Sequence, residues 1–369
     1  VKILKMKQVF VSKIVFAVFA AAFLCFGCKK DDGGADEPKV VTSTEGVFVC
    51  NEGNFMSENA SLSYYDNATK QESNDIFYHV NNVPLGSTCQ SMAIYGGKGY
   101  VVVNGSGKVY VINVDDYKHL ATVSGLTSPR YIGFIDSRKA YITDLYSPLI
   151  SVLDLTTNTV TGTIEVGAGT EQIICYKDWA YVCSWSMNNK IYRINTRTDK
   201  VEGFVEVPIQ PNSMVLDKNN KLWVLSDGSF EGSAYGHEKA ALTRIDPETF
   251  RIEQTILFPD LDSSPSELSI NGNRDKLYYI DGSDGNAASN LGGVYEMDCE
   301  AVTLPTAPLI PENGRLFYGL GVDPVNSDIY VSDAIDYTQP GIVYRYDVSG
   351  TELDDFKAGI CPGAFCFKK

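Results

Sequence analysis

The sequence predicts an all-β protein, a seven-bladed β-propeller built from four-stranded antiparallel blades. Three observations support this fold class. A four-strand pattern with a period of about 40 residues recurs along the chain, as propeller blades do. The second strand of each copy carries an aromatic residue, in the series Phe48, Tyr100, Tyr141, Tyr181, Trp223, Tyr278 and Tyr330. The third strand ends in Asp or Asn, in the series Asp66, Asn113, Asp154, Asn195, Asp246, Asp298 and Asp347. One such unit buries both faces only when copies stack, so the pattern favours one closed ring.

Residues 130–167 are the clearest copy of this repeat. Apolar residues alternate or cluster at 131–135, 140–143, 150–155 and 160–166, and each run ends in turn-forming residues. The Asp or Asn that closes the third strand is expected to accept hydrogen bonds from backbone amides of the following turn.

The N-terminal residues differ in kind from the repeats. Four lysines precede the apolar run 14–26, which ends at Gly27 and Cys28. This order is typical of a secretory signal, and the position of Cys28 favours a lipoprotein signal in 1–27, although Cys25 stands where Leu is usual. We expect a lipidated Cys28, a flexible tether over 28–44 and one propeller domain over 45–369. The run 29–32, KKDD, is similar to the signal that sends Bacteroidetes lipoproteins to the cell exterior, so we expect an outer-membrane protein held by its lipid anchor only.

Charge and cysteine usage exclude several other classes. The formal net charge is −15, with no basic stripe to attract a phosphate backbone, so nucleic acid is not an expected partner. The cysteines after Cys28 are seven in number and scattered, which predicts free buried thiols rather than a disulfide framework. A bridge between Cys89 and Cys361 is the alternative, because both precede innermost strands of neighbouring blades.

The ring is expected to close with a strand from the C-terminus. Residues 47–51, 61–66 and 75–80 match the second, third and fourth strands of the repeat, but nothing before them matches the first. Residues 363–367 match an innermost strand that has no blade of its own. We therefore predict that this segment completes the first blade and removes an open sheet edge.

One face of the propeller is the candidate site for a small-molecule ligand. Long loops between second and third strands emerge on the face where the innermost strands begin, and such loops commonly carry function. The starts of the innermost strands contribute a polar ring, and the loops contribute aromatic side chains, which together suit a ligand pocket. The predicted ligand-binding residues are Phe55, Gln90, Arg130, Tyr146, Glu171, Trp185, Asn212, Phe230, Tyr235, Tyr318 and Tyr337.

Catalytic and metal-binding motifs are lacking in the sequence. His79, His119 and His237 are its three histidines, and the first two fall in or beside fourth strands, away from the candidate face. The run 281–286, DGSDGN, resembles a calcium loop only faintly, because Ser and Gly hold ligand positions and the terminal Glu is missing. We therefore predict no catalytic residues, no metal and no cofactor.

The repeat motif in 140–167 resembles the YncE-like and surface-layer group of propellers. The opening run 46–55, GVFVCNEGNF, followed by 59–66, NASLSYYD, is similar to the BtuG-type lipoproteins of Bacteroidetes. That resemblance implies a non-enzymatic surface protein that captures cobalamin and passes it to a TonB-dependent outer-membrane transporter. The residues are compatible with this, since a corrinoid offers a broad apolar ring, an amide fringe and a phosphate that Arg130 is suited to meet.

Two other functions stay open on the sequence. One is a structural or protein-interaction propeller of the surface layer or of a nutrient-uptake complex. The other is a propeller lactonase or lyase, which requires an acid–base pair or metal cluster to converge on the channel.

Overall fold

The structure is a computed structural model, and it describes residues 45–233, 236–282 and 292–369. The predicted signal peptide, lipidated Cys28 and tether lie outside these residues. Within them, seven four-stranded antiparallel sheets form the seven blades of an all-β propeller, which confirms the predicted fold class. None of the helices in these ranges is long and apolar enough to span a membrane.

Consecutive strands build each blade from the channel outwards. The strands of blades one to three are β1 (Gly46–Asn51), β2 (Ser61–Asp66), β3 (Gln71–Ser73), β4 (Cys89–Tyr95), β5 (Lys98–Val103), β6 (Lys108–Asn113), β7 (His119–Val123), β8 (Pro129–Phe134), β9 (Lys139–Asp144), β10 (Leu149–Asp154) and β11 (Thr159–Glu165). Those of blades four and five are β12 (Ile173–Tyr176), β13 (Trp179–Ser184), β14 (Lys190–Asn195), β15 (Lys200–Glu206), β16 (Pro211–Leu216), β17 (Leu222–Ser226), β18 (Ala241–Asp246) and β19 (Arg251–Leu257). The last strands are β20 (Ser266–Ile270), β21 (Lys276–Asp281), β22 (Gly293–Asp298), β23 (Ile310–Pro311), β24 (Phe317–Val322), β25 (Ile329–Asp333), β26 (Pro340–Tyr346), β27 (Glu352–Ile360) and β28 (Pro362–Lys368).

The C-terminal strand closes the ring as predicted. β28 is the innermost strand of the first blade and pairs antiparallel with β1, from Gly46 opposite Lys368 to Asn51 opposite Pro362. Phe365 and Phe367 on β28 pack against a core cluster that includes Tyr330 of the seventh blade. The two ends of the chain therefore share one sheet, and that sheet also packs against the last blade.

The aromatic series of the second strands forms the core between blades. All seven side chains are at most 1% exposed. Burial of such a side chain contributes roughly 1.5–3 kcal/mol. Five of the seven have a polar tip with a hydrogen-bond partner, as expected for buried Tyr and Trp. For example, the Tyr181 hydroxyl donates to the Pro247 carbonyl at 2.7 Å, and Trp223 Nε1 donates to Asp217 Oδ2 at 3.1 Å. This combination explains why Tyr and Trp, rather than Leu, occupy the position.

The Asp or Asn at the end of each third strand caps the next turn. Asp66 Oδ1 accepts from the amides of Ala68 at 2.8 Å and Thr69 at 2.9 Å. The equivalent residue of every other blade also accepts from the amide two or three positions later. The expected role of this series is confirmed.

The prediction of a fourth strand over 75–80 is wrong. The outer strand of blade one is the three-residue β3, and Ile76–Asn81 forms a short helix, α1. Ile76, Phe77 and Val80 lie on one helical face, and the Phe77 ring packs 4.6 Å from that of Tyr110 in the next blade. A helical apolar face in so short a segment resembles a strand when read from sequence alone.

The cysteines of the described residues are all free. Cys89 does not bridge to Cys361. The Cys361 thiol donates to the Tyr337 carbonyl at 3.6 Å, whereas the Cys89 thiol is a hydrogen-bond partner of Cys50. Cys361 occupies a left-handed turn, with φ of 50°, between the last two strands, and this turn directs its side chain to the loop of blade seven.

Candidate functional site in the central channel

The starts of the innermost strands meet around a cavity of about 700 Å³. This size is typical of a small-molecule site. All seven residues of the polar ring line it, namely Gln90, Arg130, Glu171, Asn212, Ser266, Tyr318 and Gly363. The deeper wall is apolar and includes Ile132, Leu320 and Phe365. The channel therefore has a polar entrance above a hydrophobic base.

Arg130 and Glu171 form the central ion pair. Arg130 Nε lies 2.9 and 2.8 Å from the two Glu171 carboxylate oxygens, and Nη2 lies 2.7 Å from Oε1. Nη1 donates to the side-chain carbonyl of Gln90. Burial alone would lower the pKa of Arg130, but the facing carboxylates outweigh it and raise that pKa. The one guanidinium of the predicted site is thus already engaged by the protein itself.

Glu52 contributes a second carboxyl group to the channel. It lies on the loop after β1, and its Oε2 accepts from the Tyr318 hydroxyl at 2.9 Å. Burial raises the pKa of Glu52, while the Tyr318 hydrogen bond and the charge of Arg130 oppose this. Glu52 has no basic side chain within ion-pair distance among the described residues.

Glu267 contributes a third carboxyl group, at the start of β20. The Glu267 side chain is half-buried, and it lines the cavity at the centre of the ring of blades. Burial, followed by the charges of Glu52 and Glu171, raises the pKa of Glu267 to about 8. Its φ of 60° is in the left-handed region, which is uncommon for a residue other than Gly, Asn or Asp. No hydrogen-bond donor among the described residues contacts this carboxyl.

A separate acidic group lies beside Trp185 at the cavity wall. Trp185 Nε1 donates to Asp227 Oδ2 at 3.1 Å, and Gln210 Nε2 donates to Asp227 Oδ1 at 3.2 Å. Burial raises the pKa of Asp227 to about 7, against the effect of these donors. The Trp185 ring is thereby fixed on the cavity wall by a carboxyl group that titrates near neutral pH.

Tyr318 and Tyr337 provide an aromatic wall on the opposite side of the ring of blades. Their ring centroids lie 5.7 Å apart with planes at 80°. The Tyr337 backbone carbonyl accepts from the Asn54 side chain at 2.6 Å, which links this loop to that of blade one. Both rings line the cavity.

The predicted site residues therefore divide into two groups. Gln90, Arg130, Glu171, Trp185, Asn212, Tyr318 and Tyr337 are brought together as the cavity lining. Phe55, Tyr146 and Phe230 lie on loops of the same face but outside the lining, with 73%, 70% and 59% of their surface exposed. Tyr235 lies outside the described residues.

Sequence reasoning missed Glu52, Asp227 and Glu267 as site residues. Six innermost strands, including β20, have a register shift near their first residues. Such a bulge breaks the two-residue alternation of side chains. Consecutive residues Ser266 and Glu267 consequently both line the channel. A Glu directly after the ring position Ser266 was the sequence signal that could have identified Glu267.

Metal ligands do not cluster in the described part of the chain, where no group of three His, Cys, Asp or Glu side chains is placed to hold an ion. Residues 284 and 286 of the faint calcium motif lie outside it. His237 Nε2 lies 3.1 Å from both the Leu261 carbonyl and Asp262 Oδ1, in a surface loop away from the channel.

The family described as "Domain of unknown function (DUF5074)" matches residues 45–358. The curated proteins contain no match to the chain.

Solved propeller structures are similar in fold at low sequence identity. A quinonprotein alcohol dehydrogenase-like protein from Bacteroides thetaiotaomicron is 15% identical, with a TM-score of 0.63 over 88% of this chain and 79% of that one. The periplasmic gluconolactonase of Pseudomonas aeruginosa is 12% identical, with a TM-score of 0.62 over 88% of this chain and 99% of that one. A streptogramin B lyase is 12% identical, with a TM-score of 0.53 over 75% of this chain and 86% of that one. At these identities the likeness extends to the fold alone.

Proposed function

The chain belongs to the DUF5074 family of β-propellers, and we propose that it is a non-enzymatic, lipid-anchored protein of the outer-membrane surface that binds a small molecule in its channel. The specific ligand we propose is cobalamin or a related corrinoid. The recipient we propose is a TonB-dependent outer-membrane transporter.

The channel cavity is the observation that carries this proposal. A cavity of about 700 Å³ with a polar ring, aromatic walls and an apolar base has the composition of a ligand site. Phe55, Tyr146 and Phe230 expose aromatic surface on loops of the same face, outside the lining itself. Scattered apolar residues are normal on a surface, but aromatic groups arranged around a cavity favour a bulky, partly apolar ligand.

The engaged state of Arg130 changes the expected contacts. Because Arg130 is paired with Glu171, it is not free to bind the phosphate of a corrinoid. The carboxyl groups of Glu52 and Glu267 are instead able to accept hydrogen bonds from the carboxamide groups around a corrin ring. We therefore propose that the amide fringe, rather than the phosphate, faces the channel.

Equilibrium titration with cyanocobalamin tests the proposal. We expect saturable binding that quenches Trp185 fluorescence and weakens roughly five-fold or more in Trp185→Ala, since a buried aromatic contact contributes about 1 kcal/mol or more. A Trp179→Phe variant, altered far from the cavity, is the matched control. Absence of binding at micromolar cyanocobalamin would refute the corrinoid proposal.

An acid–base enzyme of the propeller lactonase or lyase type is a second candidate. The raised pKa values of Glu267 and Asp227 favour it, because carboxyl groups that titrate near neutral pH in a cleft serve as general acids or bases. Hydrolysis of glucono-lactone, lost in Glu267→Gln, would establish this activity. Equal rates with and without the protein would exclude it for that substrate.

A further inference from the structure

The described lining of the channel carries more acidic than basic side chains. Its acidic members are Glu52, Glu171, Asp227 and Glu267, and Arg130 is its one basic member. Arg130 and Glu171 neutralise each other in an ion pair, so three acidic side chains of the described lining remain without a compensating charge. A buried pair of this kind is costly to break, because each partner would be left desolvated and unpaired. The remaining acids therefore have no basic partner in the described cavity.

Glu52 and Glu267 are the acids that face the open centre. The charge of Glu52 opposes ionisation of Glu267, and the Glu171 carboxylate opposes ionisation of both. Among the described residues, their only opposing positive charge is that of Arg130. The phenols of Tyr131 and Tyr318 and the thiols of Cys50 and Cys361 are the other titratable groups around them. Unpaired carboxylates are unfavourable inside a protein, so these groups must hold a proton or meet a cation.

The walls around these carboxyl groups suit an organic cation. Tyr318 donates to Glu52 and presents its ring beside that of Tyr337. Aromatic faces attract positive charge, and they also cover the apolar part of an organic ligand. A metal ion is disfavoured because the described side chains offer no three-ligand cluster.

We infer that the channel selects a positively charged organic ligand, whose cationic group binds between Glu52 and Glu267 against the Tyr318–Tyr337 wall. This inference rests on the proposed function only in taking the channel as the ligand site. It does not require the ligand to be a corrinoid, so failure of corrinoid binding leaves it standing. Binding of the cation is expected to release the proton held by Glu267 at neutral pH.

Tryptamine and tryptophol are a matched pair of probes for this selectivity. They share an indole ethyl body and differ in an ammonium against a hydroxyl group. Calorimetric titration of the whole protein with each probe measures the charge contribution directly. We expect tryptamine to bind about ten-fold more tightly than tryptophol, because one charge-assisted hydrogen bond contributes at least that much affinity. Titration in two buffers of different ionisation heat is expected to show proton release with tryptamine only.

The Glu267→Gln variant is expected to remove both the preference and the proton release. Glu165→Gln, which neutralises an exposed acid on β11, is the control and is expected to leave both unchanged. Urea unfolding of each variant establishes that it is folded. Equal affinity for the two probes, failure of tryptamine to bind, or a preference that survives in Glu267→Gln would each overturn the inference. A cyanocobalamin titration that fails while tryptamine still binds would refute the corrinoid proposal alone.

Discussion

Replacing Glu267 with Gln is expected to stabilise the protein increasingly as pH rises. The folded pKa of Glu267 is about 8, whereas a Glu in an unfolded chain has a pKa of about 4.3. Between these values the folded state binds more protons than the unfolded state. The free energy of unfolding therefore falls as pH rises through this window. Gln has the same shape as protonated Glu but does not titrate, so the variant avoids this loss.

The size of the effect follows from the two pKa values. Each unit of pKa difference between the states is worth about 1.4 kcal/mol. At neutral pH the folded protein must take up a proton that the unfolded chain has released, which costs roughly 2–4 kcal/mol, the lower end allowing for water in the open channel. At about pH 5 the cost falls to about 1 kcal/mol.

Urea unfolding of wild type and Glu267→Gln at about pH 5 and about pH 8 measures this effect. The stability advantage of the variant over the wild type is expected to be about 1 kcal/mol at the lower pH and clearly larger at the higher pH. Burial also raises the pKa of Glu52 and Asp227, so some loss of stability with pH will persist in the variant. Two parallel stability curves would refute the assigned environment of Glu267.

Three further predictions concern the scaffold. Deleting residues 362–369 exposes the edge of β1 and is expected to abolish cooperative thermal unfolding; an unchanged transition by circular dichroism would contradict ring closure by β28. Arg130→Met is expected to cost about 3–5 kcal/mol in chemical denaturation because Glu171 is left buried and unpaired, whereas the double variant with Glu171→Met should lose far less. Asp66→Ala is expected to cost about 1 kcal/mol, measured the same way, through loss of its turn hydrogen bonds.

The fold was predictable because its determinants are local and repeated seven times. Each copy carries its own buried aromatic residue and turn-capping Asp or Asn. An ambiguous strand assignment in one copy can therefore be resolved by comparison with the other copies. Ring closure was predictable because the first copy of the repeat lacks one strand and the C-terminal segment supplies one strand more than the last copy needs. The short helix α1 was missed because no repeat supports it and its apolar residues pack on a neighbouring blade.

The site was predictable in position but not in charge. Aligning the strand starts identified Gln90, Arg130 and Asn212 as neighbours at the channel. The pairing of Arg130 with Glu171 depends on how two blades are arranged in space, which the alignment does not contain. Glu267 was missed because a bulge places two consecutive side chains on the channel side. The protonation state of Glu267 depends on burial and on Glu52 and Glu171, which are far from it in sequence but near it in the channel.

The visible absorption spectrum of the protein purified from its native host is the most direct test of the central claim that the channel binds a corrinoid. Corrinoids absorb visible light, and a tightly held ligand accompanies the protein through purification. We predict corrinoid absorption bands in stoichiometric amount, which the Trp185→Ala variant carries at a reduced level. A colourless protein that releases no corrinoid on denaturation, and takes none up from an excess of cyanocobalamin, would contradict the account.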